Sequence, residues 1–293
     1  MTSLPNLSSI VLPDLPKQGE AVCWDGLYGA SKWIALAEAA QNVKKPFLLL
    51  LPDIRSVEAV SQDLSFFSPN LKLHVFPDWE TLAYDRFSPY QDIVSERLHT
   101  LSTMSHLTDG IIITSIQTAL HRLLPKDWLI KTTFSLSCGQ KIQREGFRAR
   151  LSESGYISVS QVSAPGEFAV RGSLMDVFPV GAKLPLRIDL FDDEIDTLRV
   201  FDSETQRTTG ELENITILPA REFPTDQRGI MEFRRSWREH FSSGYQGSTI
   251  YQDVSEGLAP AGIEYYLPLF HEETNVLTDY IPSDCVVILQ LSS

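Results

Sequence analysis

The sequence predicts an α/β protein, with a parallel sheet flanked by helices and a smaller α+β domain beside it, and three observations carry that prediction. Short apolar runs alternate with helical periods up to Ser115, the pattern changes to paired alternating strands beyond Trp128, and helical spacing returns after Pro219 before a last apolar run. At 293 residues the chain exceeds one ordinary core, so two or three compact units are expected.

After a proline-rich lead, residues 20–24 read as a strand, and a Gly/Ser turn leads into a helix over 31–41 that is rich in Ala and Leu. Residues 47–51 form a buried strand, 56–67 a helix, 72–76 an extended segment and 92–107 a helix. The run 110–115, GIIITS, is apolar and β-branched without alternation, as a parallel strand covered on both faces requires. Residues 132–137 alternate, and 141–151 form a basic amphipathic segment. The stretch 166–207, GEFAVRGSLMDVFPVGAKLPLRIDLFDDEIDTLRVFDSETQR, reads as paired strands. Within it a period of two sends Leu186, Ile188 and Leu190 to one face and Arg187, Asp189 and Phe191 to the other, and only one face can be core. Asp192, Asp193 and Glu194 make a polar reversal into a second strand over 195–201, which gives a hairpin with an acidic tip, and Arg171 stands in a preceding strand. Beyond Leu218 a helix starts near Thr225 or Asp226, with Ile230, Phe233, Trp237 and Phe241 at helical spacing. Residues 285–291 are the final strand, and a chain ending just beyond such a strand is expected to be part of something longer.

Composition narrows the chemistry. Lys and Arg total 25 against 38 Asp and Glu, and a net charge of -13 opposes tight nonspecific binding to a phosphate backbone. In 166–207 the basic residues are outnumbered by acids, which suits a protein partner better than DNA. Cys23, Cys138 and Cys285 are too far apart in sequence for a zinc knuckle and form no even-numbered disulfide framework, so a reducing cytoplasm is the expected compartment. The first residues lack the charge and apolar core of a signal peptide, and no run approaches the ~20 apolar residues of a membrane span. His74, His99, His106, His121, His240 and His271 show no metal-binding spacing, the acids at 192–196 lack the pattern of a calcium loop, and no nucleophile elbow is present. No catalytic residue, metal or cofactor is expected.

Gly26-Leu27-Tyr28-Gly29-Ala30-Ser31-Lys32-Trp33 falls where a P-loop belongs, between a strand and a helix. Lys32 is present, but Ser31 replaces the glycine that lets the backbone wrap phosphates, and Trp33 replaces the hydroxyl that would ligate magnesium. The run 286–293 resembles a motor-type Walker B strand whose acidic box is lost, with Gln290 onward where carboxylates would stand. Two requirements of phosphoryl transfer are therefore missing, although the helix start after Ser31 still presents amides to an anion. Arg228, Arg234, Arg235 and Arg238 surround Trp237 on the predicted helix, where they coat a polar face or, as the alternative reading, contact nucleic acid.

The segments GEFAVRGSLMDVFP, RIDLFDDEIDTLRVFD, LPAREFPTD and PAGIEYYLPLF, with WETLAYDRFSPYQDIVSERL upstream, resemble the transcription-repair-coupling factors. The likeness is to the N-terminal module that they share with the excision-repair protein UvrB, and it covers nearly all of the chain. It implies a degenerate helicase-like first domain in two parts, 1–127 and 218–293, with a small UvrB-like second domain inserted at 128–217. It also implies a non-catalytic adaptor for nucleotide excision repair, whose small domain recruits the damage-recognition ATPase UvrA through Arg171, Arg187 and Phe191, with Asp189 and Glu194 as weaker candidates. The parent would be an ATP-dependent translocase that removes stalled RNA polymerase, meeting polymerase and DNA through domains absent here and packing against this module. The alternative is an ATP-dependent DNA loader similar to UvrB. Trp79, Tyr84, Phe87 and Tyr90 match the segment before UvrB's DNA-gripping hairpin, but the chain passes from Tyr90 straight to the helix at Asp92, so strand clamping is not expected.

Overall fold

The apolar runs at 46–51 and 110–115 lie side by side in a four-stranded parallel sheet in the computed structural model, which describes residues 12, 14–17, 19–83, 85–241 and 247–290. Strand β1 (Pro46–Leu51) is flanked by β3 (Gly110–Ser115) and by β12 (Val286–Leu289), and β2 (Leu73–Val75) pairs with the far side of β3. Parallel neighbours need crossovers, and α2 (Ile54–Phe67) follows β1 as a crossover does, while α1 (Ser31–Val43) precedes it. Trp33, Leu36 and Ala40 of α1 and Val57, Val60 and Leu64 of α2 pack with Phe47, Leu49, Leu51, Ile111 and Ile113 in one core. These elements form a compact unit made of the described residues within 1–76, 104–119 and 281–293.

Residues 20–24 are not a strand. The edges of the sheet are β12 and β2, and the segment pairs with neither. Its side chains reach the core only through Trp24, while Val22 stays exposed. The last strand ends at Leu289; Leu291, Ser292 and Ser293, part of the Walker B-like run, lie outside the described residues.

The second compact unit comprises 77–103 and 120–280. Its main sheet has six strands in the order β10 (Thr208–Leu212), β9 (Glu194–Phe201), β8 (Leu186–Phe191), β7 (Leu174–Val177), β6 (Glu167–Arg171) and β5 (Ile157–Ser158). All pairings are antiparallel except β5 with β6. A two-stranded ribbon joins β4 (Phe134–Ser137) to β11 (Asn214–Ile217); the short helices α4 (Ile116–Ala119) and α5 (Lys126–Thr132) precede β4 in sequence and α6 (Arg144–Glu153) follows it. The unit is wider than the 128–217 span expected for the small domain. Buried and half-buried bonds tie the flanking segments to that span and to each other: the Tyr156 hydroxyl donates to Leu218 O (2.8 Å), Gly181 N to Ser95 Oγ (2.9 Å) and Gln91 Nε2 to Ala220 O (2.9 Å).

Helix α3 (Gln91–Met104) brings a wholly buried arginine into this unit. Arg97 donates through Nε and Nη2 to Glu222 (2.6 and 3.3 Å) and through Nη1 to Pro77 O (2.7 Å). Trp79 Nε1 donates to the same carboxylate (3.0 Å), and the guanidinium lies over the Trp79 ring, with its carbon 4.8 Å from the centroid. A buried charge is tolerated only when paired and hydrogen-bonded in this way. Helix α7 (Gln227–His240) starts at Asp226, whose Oδ1 accepts from Gly229 N (2.7 Å), as an N-cap should. Ile230, Phe233 and Trp237 are buried as the helical spacing predicts, whereas Phe241 is the C-cap residue and 44% exposed, because the helix ends before the stripe reaches it. No helix among the described residues is long and apolar enough to cross a membrane.

His271 is buried against the edge of Trp128, with Nε2 3.4 Å from Glu222 O. Burial pushes its pKa down to about 4, below the ordinary imidazole value of 6.5. Between those values the unfolded chain binds the proton and the folded chain does not, so this contribution is complete above pH 6.5 and falls as pH drops toward 4. About 2 kcal/mol should be lost between roughly pH 7 and 4.5. Urea unfolding at a series of pH values should show that slope, and His271→Phe should flatten it.

Candidate protein-docking face

Hairpin β8–β9 turns through Asp192 and Asp193, with Phe191 directly opposite Glu194. Glu194 therefore opens the second strand rather than sharing the tip. Asp192 takes a positive φ of 55°, which Asp tolerates because its short polar side chain can bond locally. The tip is held from a further side: Ile142 N donates to Asp193 O (2.7 Å), Gly139 N to Ile195 O (2.8 Å) and Ile195 N to Gln140 O (2.9 Å). What the hairpin presents is thus presented rigidly.

The register divides the faces. Leu186, Ile188 and Leu190 turn to the core with Met175, Val177 and Leu198, as the alternation predicts. Directly opposed residues share a face, so the other side carries the row Ala169, Asp176, Arg187, Arg199 and Glu211 and, next to it, the row Arg171, Leu174, Asp189 and Thr197. Phe191 stands two residues beyond Asp189 on that same face. Arg171, Arg187, Asp189 and Phe191 are thus brought together on one side of the sheet.

Their environments differ. Phe191 is 74% exposed. Arg171 is exposed, donates through Nη2 to Ser160 O (2.9 Å) and forms no ion pair among the described residues. Arg187 is not the outward, free cation that alternation alone suggests. Its Nε and Nη2 donate to the two oxygens of Asp176 (2.7 and 2.9 Å), and its guanidinium carbon lies 4.5 Å from the ring centre of Phe201. The Arg187 side chain is 17% exposed, and Asp176 is buried. The hydrogen bonds to Asp176 hold the guanidinium above its usual pKa range against the opposing pull of burial. Asp189 is also engaged, accepting from Arg199 Nη2 (3.2 Å), and Glu194 is exposed opposite Phe191. Asp176 and Arg199 do not stand out in the sequence. Their interactions depend on which strands pair and in what register, and no local pattern carries that.

The loop before α1 has a different character. Gly26 and Gly29 take positive φ values of 71° and 56°, and Ser31 Oγ donates back to Tyr28 O (2.7 Å). Trp33 is buried in the core of the first unit, and Lys32 Nζ lies 4.7 Å from its ring centroid. Among the described residues no strand leads into this segment, and α1 follows it. Of the aromatics at 79–90, Trp79 is buried beside Arg97, Phe87 and Tyr90 are exposed, and Tyr84 lies outside the described residues. Among the described residues no group of His, Cys, Asp or Glu could hold a metal ion.

Residues 134–223 match the UvrB interaction domain, a span that includes every strand of the six-stranded sheet. The chain is 41% identical over 93% of its length to the transcription-repair-coupling factor of Escherichia coli (strain K12) and 40% identical over 94% to that of Haemophilus influenzae. It is 27% identical over 90% of its length to the one from Bacillus subtilis (strain 168). It spans about a quarter of the length of these relatives, 24% in each case.

Proposed function

We infer a recruiting role from the premise that this chain belongs to the transcription-repair-coupling factors, as a module carrying their UvrB interaction domain. It acts as a non-catalytic adaptor in transcription-coupled repair and binds UvrA through the non-core face of the β6–β9 sheet. The observation that carries this reading is Phe191, a large apolar side chain 74% exposed on a hairpin tip that is bonded on more than one side. A rigid exposed aromatic beside an arginine loses little entropy on docking and is the composition of an interface hot spot.

Arg171 and Phe191 make the direct contacts, with Arg171 offering a cation to an acidic group of the partner. Arg187 contributes while bound to Asp176, which fixes its guanidinium across Phe201. Asp189 and Glu194 border these residues. The parent meets RNA polymerase and DNA through parts outside this chain and packs against this module. A cytoplasmic setting follows from the same premise and suits three free thiols. Saturable binding in a titration with purified UvrA is the expected result, and its absence would overturn the assignment.

The P-loop-like segment has no catalytic part in this reading. A lysine over a tryptophan ring and a serine hydroxyl turned to its own backbone leave neither a phosphate cradle nor a magnesium ligand at 31–33. ATP turnover by the chain, with or without DNA, should not exceed the buffer blank in a phosphate-release assay. Turnover that Lys32→Ala abolishes would instead favour a UvrB-like loader.

A further inference from the structure

The outward side of α7 gathers positive charge that its neighbours do not neutralise. Met231, Arg234, Arg235, Arg238 and Glu239 line an open depression of about 490 Å³. Arg235 is already satisfied, since it donates to Glu232 and, at 2.9 Å, to Glu239. Arg234 and Arg238 stand one helical turn apart, and neither forms an ion pair among the described residues. Both instead aim at one neutral oxygen: Arg238 Nε donates to the hydroxyl of Tyr251 (3.1 Å), and Arg234 also bonds it. Burial alone would raise the pKa of that phenol, but the two guanidiniums bring it below the usual range. Arg234 Nε is itself buried without a partner.

Two cations converging on an uncharged oxygen repel each other, and an anion in the adjoining depression would relieve the repulsion. We propose that Arg234 and Arg238 bind a phosphate group, presented by a nucleic-acid backbone or by a free nucleotide. Paired guanidinium forks suit a tetrahedral oxyanion, and both stand on a helix fixed by the burial of Phe233 and Trp237. A chain of net charge -13 offers no broad electrostatic footprint, so the interaction is local, with one or two phosphates. The site is separate from the docking face and does not depend on UvrA binding.

Fluorescence anisotropy with the whole chain at low salt tests this, using a short labelled duplex DNA and, separately, a labelled ATP. The expected result is saturable binding of at least one probe, weakened about tenfold or more by Arg234→Gln with Arg238→Gln. Duplex binding assigns the backbone phosphate, and its log–log salt slope should fall by about 0.9 for each phosphate that the variant no longer neutralises. ATP binding alone assigns the free nucleotide. Because Arg238 touches the buried Tyr251, Met231→Glu serves as a second variant. It places a carboxylate in the depression from a residue 61% exposed and should weaken binding as much. Arg235→Lys, which keeps the charge facing Glu232 and Glu239, should change affinity by less than about threefold. No binding of either probe, or binding that the double variant and Met231→Glu leave unchanged, overturns the proposal, as does an equal loss from Arg235→Lys.

Discussion

Phe191→Ala and Arg171→Ala should each weaken association with UvrA by about thirtyfold or more, the ~2 kcal/mol of a hot-spot residue, while leaving the unfolding curve of the chain unchanged. Both side chains are exposed, and removing either leaves no cavity and no unpaired buried group. Isothermal titration of each variant with purified UvrA, beside urea unfolding, separates the two quantities. Wild-type affinity in both variants would refute the docking face. Arg187→Ala is a weaker test, although Arg187 belongs to the same assignment. Deleting its guanidinium leaves Asp176 buried and unpaired and uncovers the ring of Phe201, so a fall in affinity would be mixed with a fall in stability. The exposed pair reports on binding alone.

Glu222→Ala should destabilise the chain by about 3–5 kcal/mol, because Arg97 would stay wholly buried after losing the carboxylate that accepts from its Nε and Nη2. Trp79 Nε1 would lose its acceptor at the same time. Replacing both partners, Arg97→Met with Glu222→Leu, should recover much of that loss, since the buried guanidinium is removed together with the carboxylate it pairs. Urea unfolding of Arg97→Met, of Glu222→Leu and of the double variant measures the coupling. A loss under ~1 kcal/mol in Glu222→Ala would show that the pair is not buried as described. The pair also bears on dissection of the chain: it ties α3 to the segment after β11, so a fragment cut at 127/128 and 217/218 would lose Arg97, Glu222 and the Tyr156 bond to Leu218. Such a fragment should fold poorly even though it keeps the whole six-stranded sheet.

Much of the candidate docking face is legible in the sequence. Side chains on a strand alternate whatever the strand pairs with, so six consecutive residues suffice to assign Leu186, Ile188 and Leu190 inward and Arg187 and Phe191 outward. The same locality makes the core stripe of α7 readable at Ile230, Phe233 and Trp237. Arg97 carries a subtler signal. It stands with Val94, Leu98 and Leu101 on the apolar stripe of α3, and an arginine at such a position needs a buried carboxylate. The segment 20–24 shows the opposite failure, a strand-like pattern with no ladder to join.

The types of most elements, the inward and outward faces of the hairpin and, through its motifs, the resemblance to the transcription-repair-coupling factors are all read from the linear chain. These rest on backbone periodicity and on contiguous residues, which need no knowledge of neighbours in space. Folding in three dimensions sets the rest: that Arg187 is held by Asp176 while Arg171 forms no ion pair among the described residues, that Glu222 answers Arg97 from 125 residues away, and that Arg234 and Arg238 converge on Tyr251. The strength of a charge depends on what lies within a few ångströms of it and on how much water is excluded, and chain folding alone sets both.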